Sequence, residues 1–265
     1  METIKIGTLN TQNSKVNRTG GIMSDGKDNA LALAQHIESE CYYFLGTQEL
    51  TRVFSKNLLN HLNNYKLYGD YRYGSSKMVQ CVGMLDSFNE SNAIITNRQV
   101  LRTATNLLPW LPNNPASLLE SLMKGSIMPR IITVAEISDE NIGSIYALNT
   151  HLDYQLKNVQ ERQLRSIYEV IKVLKQHYPV VLTGDFNMEV GIDSHFDEFI
   201  VALDKLGLQR VPVNDKTNAE KFSNKTAIDH IFIPESWTIE KVGLIEDDTL
   251  ASVTDHKGIY VKARL

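Results

Sequence analysis

The chain has 265 residues, 42% hydrophobic and 22% charged, with a formal net charge of −4. This composition leaves no reason to invoke extensive disorder, and a two-sheet core of this length need not divide, so one domain over 1–265 is expected. The missing basic excess disfavours a dedicated nucleic-acid enzyme, whose surface neutralises phosphates with Lys and Arg. The two cysteines, Cys41 and Cys81, lack a CxxC spacing and read as core thiols of a reducing compartment. No apolar run approaches membrane-spanning length, and Met1-Glu2-Thr3-Ile4-Lys5 enters a strand without a leader-like pattern. A cytoplasmic protein with no obligate protein partner is the expectation.

In chain order, Ile4–Leu9 predicts a strand ending at Asn10, followed by a polar loop to Gly26. Gly20-Gly21 lacks the Lys-Ser/Thr that a phosphate-cradling loop requires. Asp28 or Asn29 can cap a helix whose residues 30, 33, 34 and 37 form one apolar face, with His36 read as a surface residue. A strand over Tyr42–Thr47 leads into Gln48-Glu49, and a helix spans roughly Arg52 to Asn63. Tyr65, Tyr68, Tyr71 and Tyr73 suit an edge strand with rings packed sideways, or alternatively a stacking surface for bases or sugars.

Val82–Asp86 and Ala93–Thr96 predict a hairpin flanking Glu90. The segment 101–125, with Pro109-Trp110-Leu111-Pro112, is the least regular of the chain and is expected to be a substrate rim or lid containing a helix over Ala116–Met123. Arg130–Ile137 alternates and should pair with the strand at 145–150, which runs into His151-Leu152-Asp153. The strongest helix covers about Val159 to Gln176. Tyr178–Leu182 predicts a buried strand running into Thr183-Gly184-Asp185-Phe186-Asn187. A helix over Phe196–Leu206 precedes a polar loop at Asn214–Lys225. A hairpin of Ile228–Ile233 and Lys241–Ile245, with a strand over Lys257–Leu265, is expected to close the second sheet.

Gly-Asp-Phe-Asn alone is equally a tight turn with an Asx cap. Its weight comes from company, since Asn10, Glu49, His151, Asp229 and the pair Asp255-His256 also lie at or beside strand ends, where rigid elements hold side chains accurately. Carboxylates, amides and histidines without cysteine suit Mg²⁺ or Mn²⁺ better than structural zinc.

This ordered set resembles the endonuclease/exonuclease/phosphatase superfamily, the DNase I-like fold, in a bacterial-type member. The matching pieces are Asn10, Gln48-Glu49, Glu90 in Asn89-Glu90-Ser91-Asn92, Asn149-Thr150-His151-Leu152-Asp153 with Arg162-Gln163, Gly184-Asp185-Phe186-Asn187, Ile228-Asp229-His230, and Thr254-Asp255-His256. The resemblance implies a four-layered α/β sandwich: two mainly antiparallel sheets packed face to face, with outer helices. It also implies a metal-dependent phosphohydrolase or phosphodiesterase acting on a phosphate ester.

Glu49 is the leading metal ligand, with Asn10 and Asp255 completing or relaying the coordination. By resemblance, Asp185 orients or deprotonates the attacking water and Asn187 holds that water or a phosphoryl oxygen. His256 contacts the phosphate with Asp229 behind it, and His151 is a second phosphate contact or general acid held by Glu90. Each carboxylate is expected to raise the pKa of its imidazole. Arg130 resembles the family's phosphate-binding Arg and equally suits a surface charge at a strand start. Asp153 is expected to buttress the His151 loop, and His61, His177, His195 and His230 to stand aside.

Neither His-Glu-x-x-His nor Gly-x-Ser-x-Gly occurs, which counts against zinc and serine hydrolases. Glu49, Asp185, Asn187 and His256 are all present, which counts against a non-catalytic binding module. The Asp229-His230 context departs from the inositol 5-phosphatase signature, and the first strand departs from that of abasic-site endonucleases. A small phosphate ester is the expected substrate, with DNA or RNA as the alternative.

Overall fold

A computed structural model describes residues 2–12, 27–73, 89–109, 128–213, 217, 226–246, 250 and 253–265. The strands β1 (Thr3–Asn10), β2 (Phe44–Thr51), β3 (Lys66–Tyr68), β4 (Glu90–Thr96), β11 (Thr238–Ile245) and β12 (Gly258–Arg264) form one sheet, ordered β11-β12-β1-β2-β4-β3. The second comprises β5 (Gln99–Leu108), β6 (Arg130–Asp139), β7 (Gly143–His151), β8 (Val180–Asp185), β9 (Leu208–Arg210) and β10 (Asp229–Pro234), ordered β5-β6-β7-β8-β10-β9. Pairing is antiparallel except for β1 with β2 and β7 with β8. A parallel pair needs a crossover, and the helices α1 (Lys27–Glu40) and α3 (Lys157–Leu174) lie in those two connections. The remaining described helices are α2 (Arg52–His61) and α4 (Ser194–Asp204).

The layering explains the unbroken apolar runs. Neighbouring residues on a strand face opposite ways, and both faces of these sheets are covered. Phe44, Ile94, Ala147, Val181 and Ile231 enter the core between the sheets. Their successors Leu45 and Ile95 pack with Leu33, Ile37, Phe54 and Leu58 of α1 and α2. Leu148, Leu182 and Phe232 pack likewise with Leu164, Ile167, Phe196 and Phe199 of α3 and α4. The four-layered sandwich is therefore present, and none of the described helices is long and apolar enough to cross a membrane.

Several sequence expectations are corrected. Ile228–Ile233 and Lys241–Ile245 are not a hairpin: β10 pairs with β8 and β9, whereas β11 pairs with β12 in the other sheet. The intervening Trp237 is buried in the inter-sheet core, so the chain changes sheets there instead of folding back. Residues 101–108 of the segment expected to be irregular belong to the edge strand β5, whose mostly exposed residues carry no apolar alternation to reveal it. Cys41 is exposed, at φ 52 just after α1. His36 is buried rather than superficial, 3.0 Å from the Tyr42 hydroxyl. The presumed strand Val82–Asp86, Cys81, the helix Ala116–Met123 and most of the loop 214–225 lie outside the described residues.

Candidate active site

Strand register assembles the site. Asn10 lies opposite Gln48 in the first sheet, and Asp185 lies between His151 on β7 and Asp229 on β10 in the second. The sheets meet through Asn10, whose Nδ2 donates to Asp185 Oδ2 at 2.9 Å and to Glu49 Oε1 at 3.1 Å. Beneath them a buried amide network ties the sheets together. Gln48 Nε2 donates to Thr8 Oγ1 at 3.0 Å and to Asn149 Oδ1 at 2.6 Å, while Asn149 Nδ2 donates to the carbonyls of Thr47 and Ala93, both at 2.9 Å. Gly46 permits this approach: a Cβ there would lie 2.3 Å from Thr183 Oγ1 and 2.7 Å from Asn149 Oδ1.

Glu49 is aimed by a break in its strand. The β2–β4 register shifts between Thr47 and Leu50, and Glu49 takes φ 59, a left-handed conformation unfavourable to a residue with a Cβ. Asn187 is the counterpart on β8, at φ 54. Its backbone N–H donates to Asp185 Oδ1 at 2.9 Å and its Nδ2 to the Leu152 carbonyl at 3.1 Å. The Asx-type turn is thus real, and it occupies one oxygen of Asp185 while Oδ2 faces Asn10, His151 Nε2 at 3.6 Å and His256 Nε2 at 3.9 Å.

His256 Nδ1 lies 3.0 Å from Asp229 Oδ2. Burial alone would depress the imidazole pKa, but the charge and hydrogen bond of Asp229, with Asp185 and Asp255 adding to them, raise it to about 10. His256 is therefore a cationic donor at neutral pH, and the Asp229 pairing expected from sequence is the geometry found. Asp185 is held above the usual carboxylate range, by burial first and the Asp229 charge second, against the opposing pull of His256 and its hydrogen-bond donors.

His151 behaves differently from expectation. Burial, then the charges of Arg130, Arg72 and His256, push its pKa well below that of a free imidazole, so it is neutral. Its nearest acidic partners are Asp185 and Glu49, the latter at 3.9 Å from Nδ1, and not Glu90. Glu90 instead forms an ion pair with Arg72, which also donates its backbone N–H to the Glu90 carbonyl at 2.9 Å. A protonated His151 held by Glu90 is corrected on both counts: burial, with nearby cationic charge, disfavours the protonated ring, and Glu90 is engaged by Arg72.

Arg72, between Tyr71 and Tyr73, is buried with its charge acting on His151, and it was not among the residues expected from the sequence. Arg130 is buried at the start of β6. Asp255 Oδ2 accepts from Gln12 Nε2 at 2.5 Å, and Thr254 Oγ1 donates to the Asn10 carbonyl at 2.5 Å, which docks this loop on the end of β1. Asp153 caps the turn before α3 through bonds of 2.8 Å to the N–H groups of Gln155 and Leu156, as a buttress would. His230 faces away from the cluster, 3.0 Å from the Met188 carbonyl and against Phe196.

The oxygen-rich donor set fits a hard divalent cation. Asp185, Asp229 and His256 bring ligand-type atoms within 4.8 Å of one another. Within that trio His256 Nδ1 is already bonded to Asp229 Oδ2, so that ring atom is not offered to a cation. Two further carboxylates could hold a cation: Glu49, with Oε1 3.9 Å from His151 Nδ1, and Asp255, whose Oδ1 is buried without a hydrogen-bond partner; Asn10 Oδ1 accepts from the Gln12 N–H at 2.9 Å.

No family model matches the sequence, and no curated protein matches it significantly. Among solved structures, an endonuclease/exonuclease/phosphatase from Bacteroides vulgatus superposes with a TM-score of 0.76 at 19% identity, covering 100% of both chains. The mannosyl-6-phosphatase Bt3783 of Bacteroides thetaiotaomicron gives 0.74 at 20% identity, over 99% of this chain and 100% of that one. D. rerio TDP2, complexed with a single-strand DNA product, gives 0.70 at 17% identity over 100% of both. What these proteins share with this chain is the DNase I-like fold.

Proposed function

We propose that the protein is a divalent-metal-dependent phosphoric ester hydrolase acting on a small phosphate ester. The observation that carries this reading is the meeting of Glu49, Asn10, Asp185 and the His256–Asp229 pair within hydrogen-bonding or near-contact distance where the two sheets converge. Phosphoester hydrolysis needs an oriented water, a base for its proton and positive charge on the phosphoryl oxygens. Asp185 Oδ2, a basic and buried carboxylate oxygen, takes the water proton. Asn187, fixed by its turn, positions that water or a phosphoryl oxygen. His256 presents its charged Nε2 to the phosphate because Asp229 holds Nδ1. Neutral His151 is a hydrogen-bonding neighbour of the phosphate and Arg130 a charged one.

Glu49 and Asn10, with Asp255, would hold Mg²⁺ or Mn²⁺, which when bound supplies the charge that offsets negative charge on the phosphoryl oxygens. Phosphatase and nucleic-acid-processing proteins both occur among the structural relatives, and the net charge of −4 favours the small ester over nucleic acid.

Turnover of p-nitrophenyl phosphate and bis(p-nitrophenyl) phosphate in Mg²⁺ or Mn²⁺ tests the proposal. Glu49→Ala and His256→Ala should each abolish it while circular dichroism stays native. Full activity in either variant would overturn it. Steeply salt-dependent cleavage of DNA in place of ester turnover would move the assignment to a nuclease.

A further inference from the structure

Two buried arginines share one corner of the site, where among the described residues Glu90 pairs with Arg72 and the charge of Glu49 also acts on it. Arg72 is 9% and Arg130 7% exposed. The strands bring them together: Tyr71 bridges to Ser91 on β4, Asn92 Nδ2 donates to the Ile131 carbonyl on β6 at 2.8 Å, and the Tyr73 hydroxyl lies 3.1 Å from Met128 Sδ. Glu90 pairs with Arg72. Arg130 Nε is buried and has no hydrogen-bond partner. Guanidinium groups are costly to bury unless paired, so Arg130 Nε remains a buried donor for which an anion would be a partner.

The electrostatics agree with this placement. Burial and then the Arg130 charge lower the Arg72 pKa to about 9, and both arginines depress His151. An incoming anion relieves each of these strains.

We propose that Arg72, braced by Glu90 and beside Arg130, forms the second arm of a two-guanidinium seat for a dianionic terminal phosphate, which makes the substrate a phosphomonoester and not a phosphodiester. Guanidinium forks match phosphate oxygens in pairs, and a monoester offers three such oxygens and a second negative charge that a diester lacks. Glu90 then serves as a positioning residue: it holds Arg72 and does not touch the phosphate. This inference rests on the hydrolase reading above.

The test compares wild type with Arg72→Gln and Arg72→Lys, using p-nitrophenyl phosphate against bis(p-nitrophenyl) phosphate in Mg²⁺. In parallel, calorimetry titrates inorganic phosphate and dimethyl phosphate into the metal-free proteins. Wild type should prefer the monoester and bind inorganic phosphate the more tightly. Arg72→Gln should lower monoester kcat/KM about tenfold or more beyond its effect on the diester, and weaken inorganic phosphate by a similar factor, as expected for loss of a charge-assisted pair. Arg72→Lys, which keeps the charge but not the fork, should fall between, and it carries the comparison if the Gln variant fails to fold. Equal losses on both esters, or unchanged phosphate affinity in both variants, would overturn the inference while leaving the hydrolase reading intact. Absence of turnover of either ester by wild type would instead overturn the hydrolase reading, and the phosphate titrations would still decide the role of Arg72.

Discussion

His256 and Asp185 carry opposite requirements, one protonated and the other not: Asp229 favours the charged form of His256, whereas burial and then Asp229 raise the Asp185 pKa and the His256 charge lowers it. Burial pulls the His256 pKa down, and Asp229 reverses that pull to give about 10. Asp229→Asn removes the reversal. The alkaline limb of the kcat/KM profile should then move down from near pH 10, with Asp185 and Asp255 still opposing the effect of burial, and with a rate loss of about 10²–10⁴-fold. An unmoved limb would show that His256 is not the titrating acid. Asn10, Asp185, Asn187 and His256 were legible in the sequence because each lies at or just beyond the end of a strand or beside a small-residue turn. Arg72 was not: it belongs to a short stretch with only an isolated bridge to β4, and its significance lies in Glu90 and Arg130, which only the strand pairing brings near.

At the scale of elements, the site depends on two departures from regular strand geometry. Glu49 sits at φ 59 in the β2 irregularity, a conformation that costs a residue with a Cβ about 1 kcal/mol and costs glycine nothing. Glu49→Gly should therefore melt at or a few degrees above Glu49→Ala while both are inactive, as a scan of thermal unfolding would record. Gly46 has the opposite constraint. Gly46→Ala pushes a Cβ into Thr183 and Asn149, and denaturant unfolding should show a loss of about 1–3 kcal/mol together with reduced activity, because the contact that separates is the one joining the sheets beneath Asn10. Strands β1, β2, β6, β7 and β8 were readable from their apolar runs and α3 from its periodic face, whereas β5 and β9 were not. The partner of β10 was not, because adjacency in sequence suggests a hairpin, and only the buried Trp237 marks the change of sheet.

For the molecule as a whole, the two sheets turn their apolar inner faces to each other and collect polar strand ends at one edge, so pH acts on stability from both sides. His230, buried against Phe186 and Phe196, has its pKa depressed to about 3. The unfolded chain binds that proton near pH 6.5 while the fold refuses it, so the stability contribution is full above pH 6.5 and is lost as pH falls toward 3, at most about 1.4 kcal/mol per pH unit. His256, raised to about 10, acts in the opposite sense: its contribution is full below pH 6.5 and is lost as pH rises toward 10. Unfolding measured across pH should give a dome, and His230→Gln should flatten only its acid side. Unaltered acid sensitivity in that variant would contradict the assignment.

In the proposed reaction water attacks phosphorus with Asp185 as its base. Its most direct test is turnover of p-nitrophenyl phosphate in oxygen-18-labelled water with Mg²⁺, run on wild type and on Asp185→Asn. Wild type should release phosphate with one labelled oxygen and be suppressed by EDTA, and the variant should turn over at least about 10²-fold more slowly. Label appearing in the phenol, or an Asp185→Asn variant that matches wild type, would contradict it.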